Sequence, residues 1–316
     1  MKSLKPVLLT VAALLAASSA FAVIVIETSY VGDERNKADS SNNYGAVNYG
    51  YNVGTYEVTN SQYVSFLNAK AATDTYALYN KKMHGNKHGG ISRSGRSGRF
   101  SYSVKSGFEN KPVNYVSFWD AARFTNYLTN YLTTGDTESG VYDLTASAIT
   151  SNTVTRDETA WRDGGVAVAS QDEWYKAAYY DPNLNGDGGY WDYAHQSDSI
   201  TTADANYDNS VELTVVGAYS GSSHYGTFDQ SGNVWEWNDA TVGGSTRGLR
   251  GGAFGYADNF LQSSTRLYFN PTYENDNIGF RVSSLAPIPE PSSYAAMFGC
   301  LALACATIRR KGRCTL

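Results

Sequence analysis

The stretch that most constrains this chain spans residues 226–252, GTFDQSGNVWEWNDATVGGSTRGLRGG. Trp235 and Trp237 flank Glu236 there, and Asp229 precedes a Gly-Asn turn at Gly232 and Asn233. Residues two apart on an extended chain share a face, so both indoles can point into a core while Glu236 points the other way. A carboxylate set between two large apolar rings stays charged only with a partner, because desolvating a lone ion is costly. The sequence supplies two kinds of partner: a bound cation, or an arginine such as Arg250 or Arg281.

The two ends read as addresses. Lys2 and Lys5, an apolar run over residues 7–16 and the small-x-small sequence Ala20-Phe21-Ala22 form a signal peptide, cut after Ala22 by signal peptidase. At the other end Pro289-Glu290-Pro291-Ser292 leads into an apolar segment, residues 294–308, and then Arg309, Arg310, Lys311 and Arg313. That segment is short against the roughly 20 residues that span a bilayer, and its basic flank would hold the end in the cytoplasm. The order is similar to the PEP-CTERM sorting tail of Gram-negative bacteria. The resemblance implies a transient inner-membrane anchor, cleavage by an exosortase, and delivery to the cell surface or extracellular polysaccharide. A plain C-terminal anchor is the alternative. The expected organisation is a signal peptide (1–22), one domain (23–286) and the tail (287–316).

Without the two ends, Lys+Arg fall from 25 to 19 and Asp+Glu from 30 to 29, which leaves the body near −10. That balance argues against nucleic acid as a partner, since its binding needs a basic footprint. Cys300, Cys305 and Cys314 are all in the tail, so the body has no thiol for a disulfide or a nucleophile.

Three helix starts share one format. Thr59 with Gln62, Ser117 with Asp120 and Ser170 with Glu173 are capping boxes, and they predict helices over 60–70, 118–132 and 171–179. In the second, Phe118, Ala121, Ala122, Thr125, Leu128 and Leu132 recur on one face. Pro182 ends the third by Asp181. Residues 211–219, 249–254 and 278–282 read as short strands. The mixture is α+β rather than repeated βαβ units.

In order, the segments GTYEVTNSQYVSFLNA (54–69), KPVNYVSFWDAARFTNYL (111–128), ASQDEWYKAAYYDP (169–182), YGTFDQSGNVWEW (225–237), LRGGAF (249–254) and NIGFRVSS (277–284) resemble the formylglycine-generating enzyme, or sulfatase-modifying factor, family. The resemblance implies a loop-rich α+β domain with a C-type-lectin-like core. The family's oxidases hold copper(I) on two cysteine thiolates shortly after the Arg-Gly-Gly block, soft ligands that this ion selects. Tyr256 and Leu261 stand near those positions here, so no copper is expected and the oxidase chemistry is missing its ligands. The family's structural calcium site, carried over residue by residue, implies side-chain oxygens from Asp229 and Glu236 and carbonyls from Gly232 and Val234. A second family site implies Asn206 and the carbonyl of Tyr207. The alternative for Asp229 and Glu236 is a turn cap and a buried arginine pair.

Other constellations read more plainly. Asp181, Asn183, Asn185, Gly186, Asp187 and Asp192 match a calcium-loop pattern, but Gly188-Gly189 suit a hairpin and a polar loop tip is the better reading. His84 and His88 lie in a glycine-rich segment that reads as a surface loop without a nearby carboxylate, and His195 and His224 stand alone. Arg93, Arg96 and Arg99 form a basic loop suited to sulfate or carboxylate, or to the acidic body itself. Trp161 and Trp191 are candidates for stacking on sugars. Together these readings point to an exported, calcium-stabilised binding or structural module of the cell envelope or its polysaccharide. The alternatives are a formylglycine-generating oxidase or cysteine-free relative, and a purely architectural surface protein.

Overall fold

Two four-stranded sheets meet where the chain crosses from one to the other. The computed structural model describes residues 24–131, 133–208 and 212–288. The expected signal peptide, the Pro-Glu-Pro tail with its cysteines, Leu132 and Val211 lie outside the described residues. In chain order, β1 (Thr28–Val31) and β2 (Tyr51–Gly54) are followed by α1 (Asn60–Lys70), the one-turn α2 (Lys82–Gly85), β3 (Ile91–Ser94) and β4 (Ser101–Val104). Next come α3 (Phe118–Asn130), α4 (Ala146–Ser151), α5 (Glu158–Arg162), β5 (Val166–Val168) and α6 (Gln171–Tyr179), which runs into β6 (Tyr180–Asp181) and its partner β7 (Gly189–Tyr190). The rest supplies β8 (Trp235–Val242), β9 (Thr246–Arg250), β10 (Leu267–Phe269), β11 (Ile278–Phe280) and β12 (Val282–Ser284).

The first sheet has the order β1-β2-β12-β5 and the second β10-β9-β8-β11. β11 runs parallel to β8 with Ile278 opposite Trp235, whereas β12 is antiparallel to both β2 and β5, with Ser283 opposite Val53 and Ala167. The strand expected over 278–282 is therefore two strands in different sheets, and Arg281 is the residue between them. The strand expected over 249–254 stops at Arg250, because Gly251 and Gly252 take φ of 95° and 75°, which a strand does not use. No strand forms over residues 212–219. Gly217 turns there with φ 69°, and its N–H leaves the ladder direction to reach Asp229 Oδ2 at 2.6 Å.

All three capping boxes form, each with the cap side chain accepting from the third helical N–H and that residue's side chain reaching back. α3 ends at Asn130, slightly short of the expected end, and it is not amphipathic in the expected way. Every residue from Phe118 to Tyr127 is buried, since α1, β5 and β8 pack around it. Trp161 is fully buried too, edge-on to Tyr49 at 5.2 Å and beneath Arg156 at 4.1 Å, so it is no sugar platform. With Trp174, Trp235 and Trp237 it forms part of the core. β8 is buried over Trp235, Glu236, Trp237 and Asn238, because a central strand is covered on both faces. Replacing the α6 cap, Ser170→Ala, will lower unfolding free energy by about 1 kcal/mol in urea titration.

Candidate functional site

The turn that feeds β8 joins three stretches distant in sequence. Asp229, Gly232 and Asn233 take φ of 61°, 108° and 58°. A Cβ on Gly232 would lie 2.5 Å from the Asn206 carbonyl oxygen, so only glycine lets the two backbones approach. Asn233 N donates to that same carbonyl at 3.0 Å. Its Nδ2 donates to Glu57 Oε1 at 3.0 Å, and its Oδ1 accepts from Thr214 N at 3.2 Å. The two expected cation positions, one with Asp229, Gly232, Val234 and Glu236 and the other with Asn206 and Tyr207, are thereby neighbours in space.

Glu236 is fully buried, and the arginine that meets it is Arg281. Nε donates to Oε2 and Nη2 to Oε1, both at 2.6 Å, and Trp174 Nε1 donates to Oε2 at 2.7 Å. The remaining Arg281 N–H groups go to the carbonyls of Gly54, Thr55 and Phe228 at 2.9, 3.3 and 2.9 Å. Arg250, the other arginine on offer, lies between Tyr44 and Tyr175 and donates to the carbonyls of Ser263 and Thr265.

One guanidinium does not balance this neighbourhood. Glu57 is buried, and desolvation holds its carboxyl well above the usual range, with Asp229 and Glu236 adding to the rise and Arg281 opposing it. Desolvation also pushes the Asp229 carboxyl up to about 6, against the pull of the Gly217 N–H and Arg281. Protons or a cation must meet the excess negative charge. Glu57 Oε2 and Asn206 Oδ1 are buried without a hydrogen-bond partner among the described residues. Beside Asp229, a cavity of about 10 Å³ bordered by His195, Thr227, Gln230 and Ser231 has room for one water-sized particle.

The donors on hand are oxygens, as calcium prefers, and on that ground the residues fit such a cation. After Arg281 and Trp174, Glu236 keeps one lone pair of four. Asp229 and the carbonyls of Gly232 and Val234 would carry more of the first position, and Asn206 Oδ1 with the Tyr207 carbonyl the second. Among the described residues no three His, Cys, Asp or Glu side chains form a metal cluster, so carbonyl and amide oxygens would matter as much as carboxylates.

Tyr256 and Leu261, which the resemblance sets near the copper-thiolate positions, are both packed against neighbours. Leu261 is fully buried against Gly252, where an added Cβ would lie 2.4 Å from its Cδ1. Tyr256 meets Trp235 edge-on at 5.5 Å and Phe260 at 5.1 Å, and its hydroxyl accepts from Asn277 Nδ2 at 3.4 Å.

Other candidates separate. His88 is buried rather than on a surface loop: its Nδ1 lies 2.9 Å from Asp276 Oδ2 and its ring packs edge-on to Phe254. His84, exposed on α2, meets Ser92 Oγ instead. His224 is not alone, since its Nδ1 lies 3.4 Å from Asp181 Oδ1. Asp181 ends β6 opposite Gly189 and accepts from Asn183 N at 2.8 Å. Two glutamates carry more than sequence reasoning assigned. Glu57 showed only as an acid between Tyr56 and Val58 in the first block. Glu173, expected as a cap, is fully buried and also accepts from Arg156 at 2.8 and 3.0 Å, Tyr49 at 2.8 Å and Ser283 at 2.8 Å.

A profile of the family described as Sulfatase-modifying factor enzyme 1-like domain matches residues 22–285. The chain is 31% identical over 146 residues to the Mus musculus protein named Inactive C-alpha-formylglycine-generating enzyme 2, a match over 42% of this chain and 46% of that protein. It is 29% identical over 145 residues to the Bos taurus protein of the same name, over 41% and 47%. The chain thus spans about half the length of these curated relatives. Among solved structures, CarF superposes with a TM-score of 0.56 at 21% identity, covering 84% of this chain and 100% of CarF. Treponema denticola variable protein 1 gives 0.56 at 18% identity, over 82% and 95%. Both are likenesses of fold, and the loop-rich α+β architecture expected from the sequence is the one observed.

Two outcomes follow from the charges. Arg281→Met strands Glu236 and will cost about 3–5 kcal/mol in denaturant unfolding, while the double variant Glu236→Gln/Arg281→Met will lose less. Asp120 and Glu274 form a second acid pair; desolvation raises them to about 6 and about 7, with the Asp120 charge adding to the rise at Glu274. A carboxyl raised on folding contributes stability that is full below its unfolded value and is lost as pH rises through the folded one. Melting temperature will therefore fall between about pH 4 and pH 7, and Glu274→Gln will flatten that slope.

Proposed function

The chain belongs to the sulfatase-modifying factor enzyme 1-like family, and within it we propose a non-oxidase member: an exported binding module of the cell envelope or its polysaccharide, stabilised by calcium. The observation that carries this reading is what stands near both thiolate positions. Copper(I) needs two soft ligands, and near the positions where the resemblance sets them stand a buried leucine and a tyrosine in an aromatic cluster. The curated relatives named as inactive point the same way. What the scaffold keeps is the oxygen-lined turn before β8, which serves folding rather than chemistry.

Calcium at this turn would neutralise the surplus charge of Glu57 and Asp229 and fix the 206 and 232 segments against each other. Export by the signal peptide and release from a sorting tail would place the module at the cell surface, where millimolar-affinity calcium sites are useful.

Purified protein incubated with copper and a Cys-x-Pro-x-Arg peptide will yield no formylglycine by mass spectrometry; formation of that product overturns the non-oxidase reading. Calcium will raise the melting temperature of the parent, and Asp229→Asn will remove most of the shift. Because Asp229 is held at about 6 without metal, the calcium effect will be largest above that pH and fade below it as protons compete. A parent that melts identically with calcium and with chelator at pH 7.5 removes calcium from the proposal.

A further inference from the structure

Positive charge is gathered in one part of this acidic domain. Residues 81–111 hold eight lysines and arginines and one acid, Glu109, while the remainder of residues 24–288 holds eleven against twenty-eight. The fold collects the segment into a single lobe: α2 packs on β3, β3 pairs with β4, and β4 lies against α1.

Three of the cations build the lobe. Arg93 pairs with Asp74 at 2.9 Å and lies between Tyr79 and Phe100 at 4.6 and 4.3 Å. Lys105 Nζ donates to the carbonyls of His84, Asn86 and Gly89 at 2.6, 3.2 and 2.6 Å, which ties the hairpin to the α2 loop. Lys111 sits over the Phe108 ring at 4.5 Å and reaches Glu212 at 4.0 Å. The other five, Lys81, Lys82, Lys87, Arg96 and Arg99, are exposed. Arg96 and Arg99 straddle the tip of the β3–β4 hairpin, where a Cβ on Gly98 would meet nothing within 4 Å. The space around Gly98 between the two arginines is open.

We propose that this lobe docks an acidic polysaccharide, a sugar chain bearing carboxylate or sulfate groups, with Arg96 and Arg99 as its principal contacts and the lysines of the 81–87 segment, at the other end of the hairpin, extending the basic surface. The inference rests on the envelope-binding reading above and gives it a surface and a ligand class. Guanidinium forks match carboxylate and sulfate oxygens in a way a point charge does not. The surrounding acidic surface repels any polyanion except over the lobe, so the field itself selects the approach. Duplex nucleic acid, with a charge every ~1.7 Å of axis, meets that repulsion more strongly than a sugar chain with sparser charge.

The test measures binding of the purified protein to alginate, dextran sulfate, neutral dextran, duplex DNA and itself across a salt series. The variant is Arg96→Glu/Arg99→Glu, and Lys37→Glu/Arg162→Glu on other exposed positions is the control of matched net charge. Both acidic polymers will bind and neutral dextran will not; the hairpin variant will lose at least about tenfold, with a shallower salt slope, while the control keeps most of its affinity and both variants melt like the parent. Equal losses in the two variants would reduce the effect to net charge and overturn the assignment. DNA binding tighter than either polysaccharide would assign the lobe to nucleic acid. Salt-sensitive self-association in sedimentation, lost only in the hairpin variant and without polymer binding, would assign it to a second copy. Binding of neutral glycans alone would overturn the lobe while leaving the envelope reading intact.

Discussion

The ion pair between Arg281 and Glu236 sits where the chain passes from one sheet to the other, and the rest of the architecture is arranged around it. Both side chains are fully buried. Such a pair holds only if every donor is used, and here all five N–H groups of the guanidinium reach acceptors on β8, at the end of β2 and on the turn before β8. One side chain thereby fixes the positions of three backbone segments. The carboxylate's third bond, from Trp174, brings in α6.

Glu173, next to Trp174 in α6, repeats the device. Its carboxylate takes Arg156, Tyr49 and Ser283 as well as its own cap N–H, so it joins α6 to β12 and to the loop before β2. The two glutamates make a polar spine through an aromatic core. A spine of this kind favours one arrangement over near alternatives, because any shift strands a charge. The turn around Asp229 is tied to the spine through the Phe228 carbonyl, whereas the basic hairpin lies outside it.

Much of this could be read from the residues. The three capping boxes predicted their helices, and the Trp-Glu-Trp run announced a buried acid in need of a partner. Which arginine answered was not readable, because Arg250 and Arg281 are equally plausible in sequence and the choice is made by a change of sheet at residue 281. His88 and Asp276 are 188 residues apart, beyond any local signal. The β-branched run near residue 215 suggested a strand, but turn geometry at Gly217 prevailed, since its N–H serves Asp229. Trp161 looked exposed for want of a nearby apolar pattern; a guanidinium and a tyrosine ring cover it, both supplied by other segments. The family blocks conveyed the fold because they encode the spine, while the hairpin arginines and Glu57 fall where sequence gives charge without position.

The place of β12 between β2 and β5 also bears on how the chain is made. β2 has only β1 beside it, and β5 has no ladder partner, until residues near 284 have left the ribosome, some 230 residues after β2. The amino-terminal sheet therefore stays open throughout synthesis, and long-range pairing of this sort is slow. That sheet is completed only by β12, so loss of this one late strand would leave β2 with an open edge and β5 unpaired.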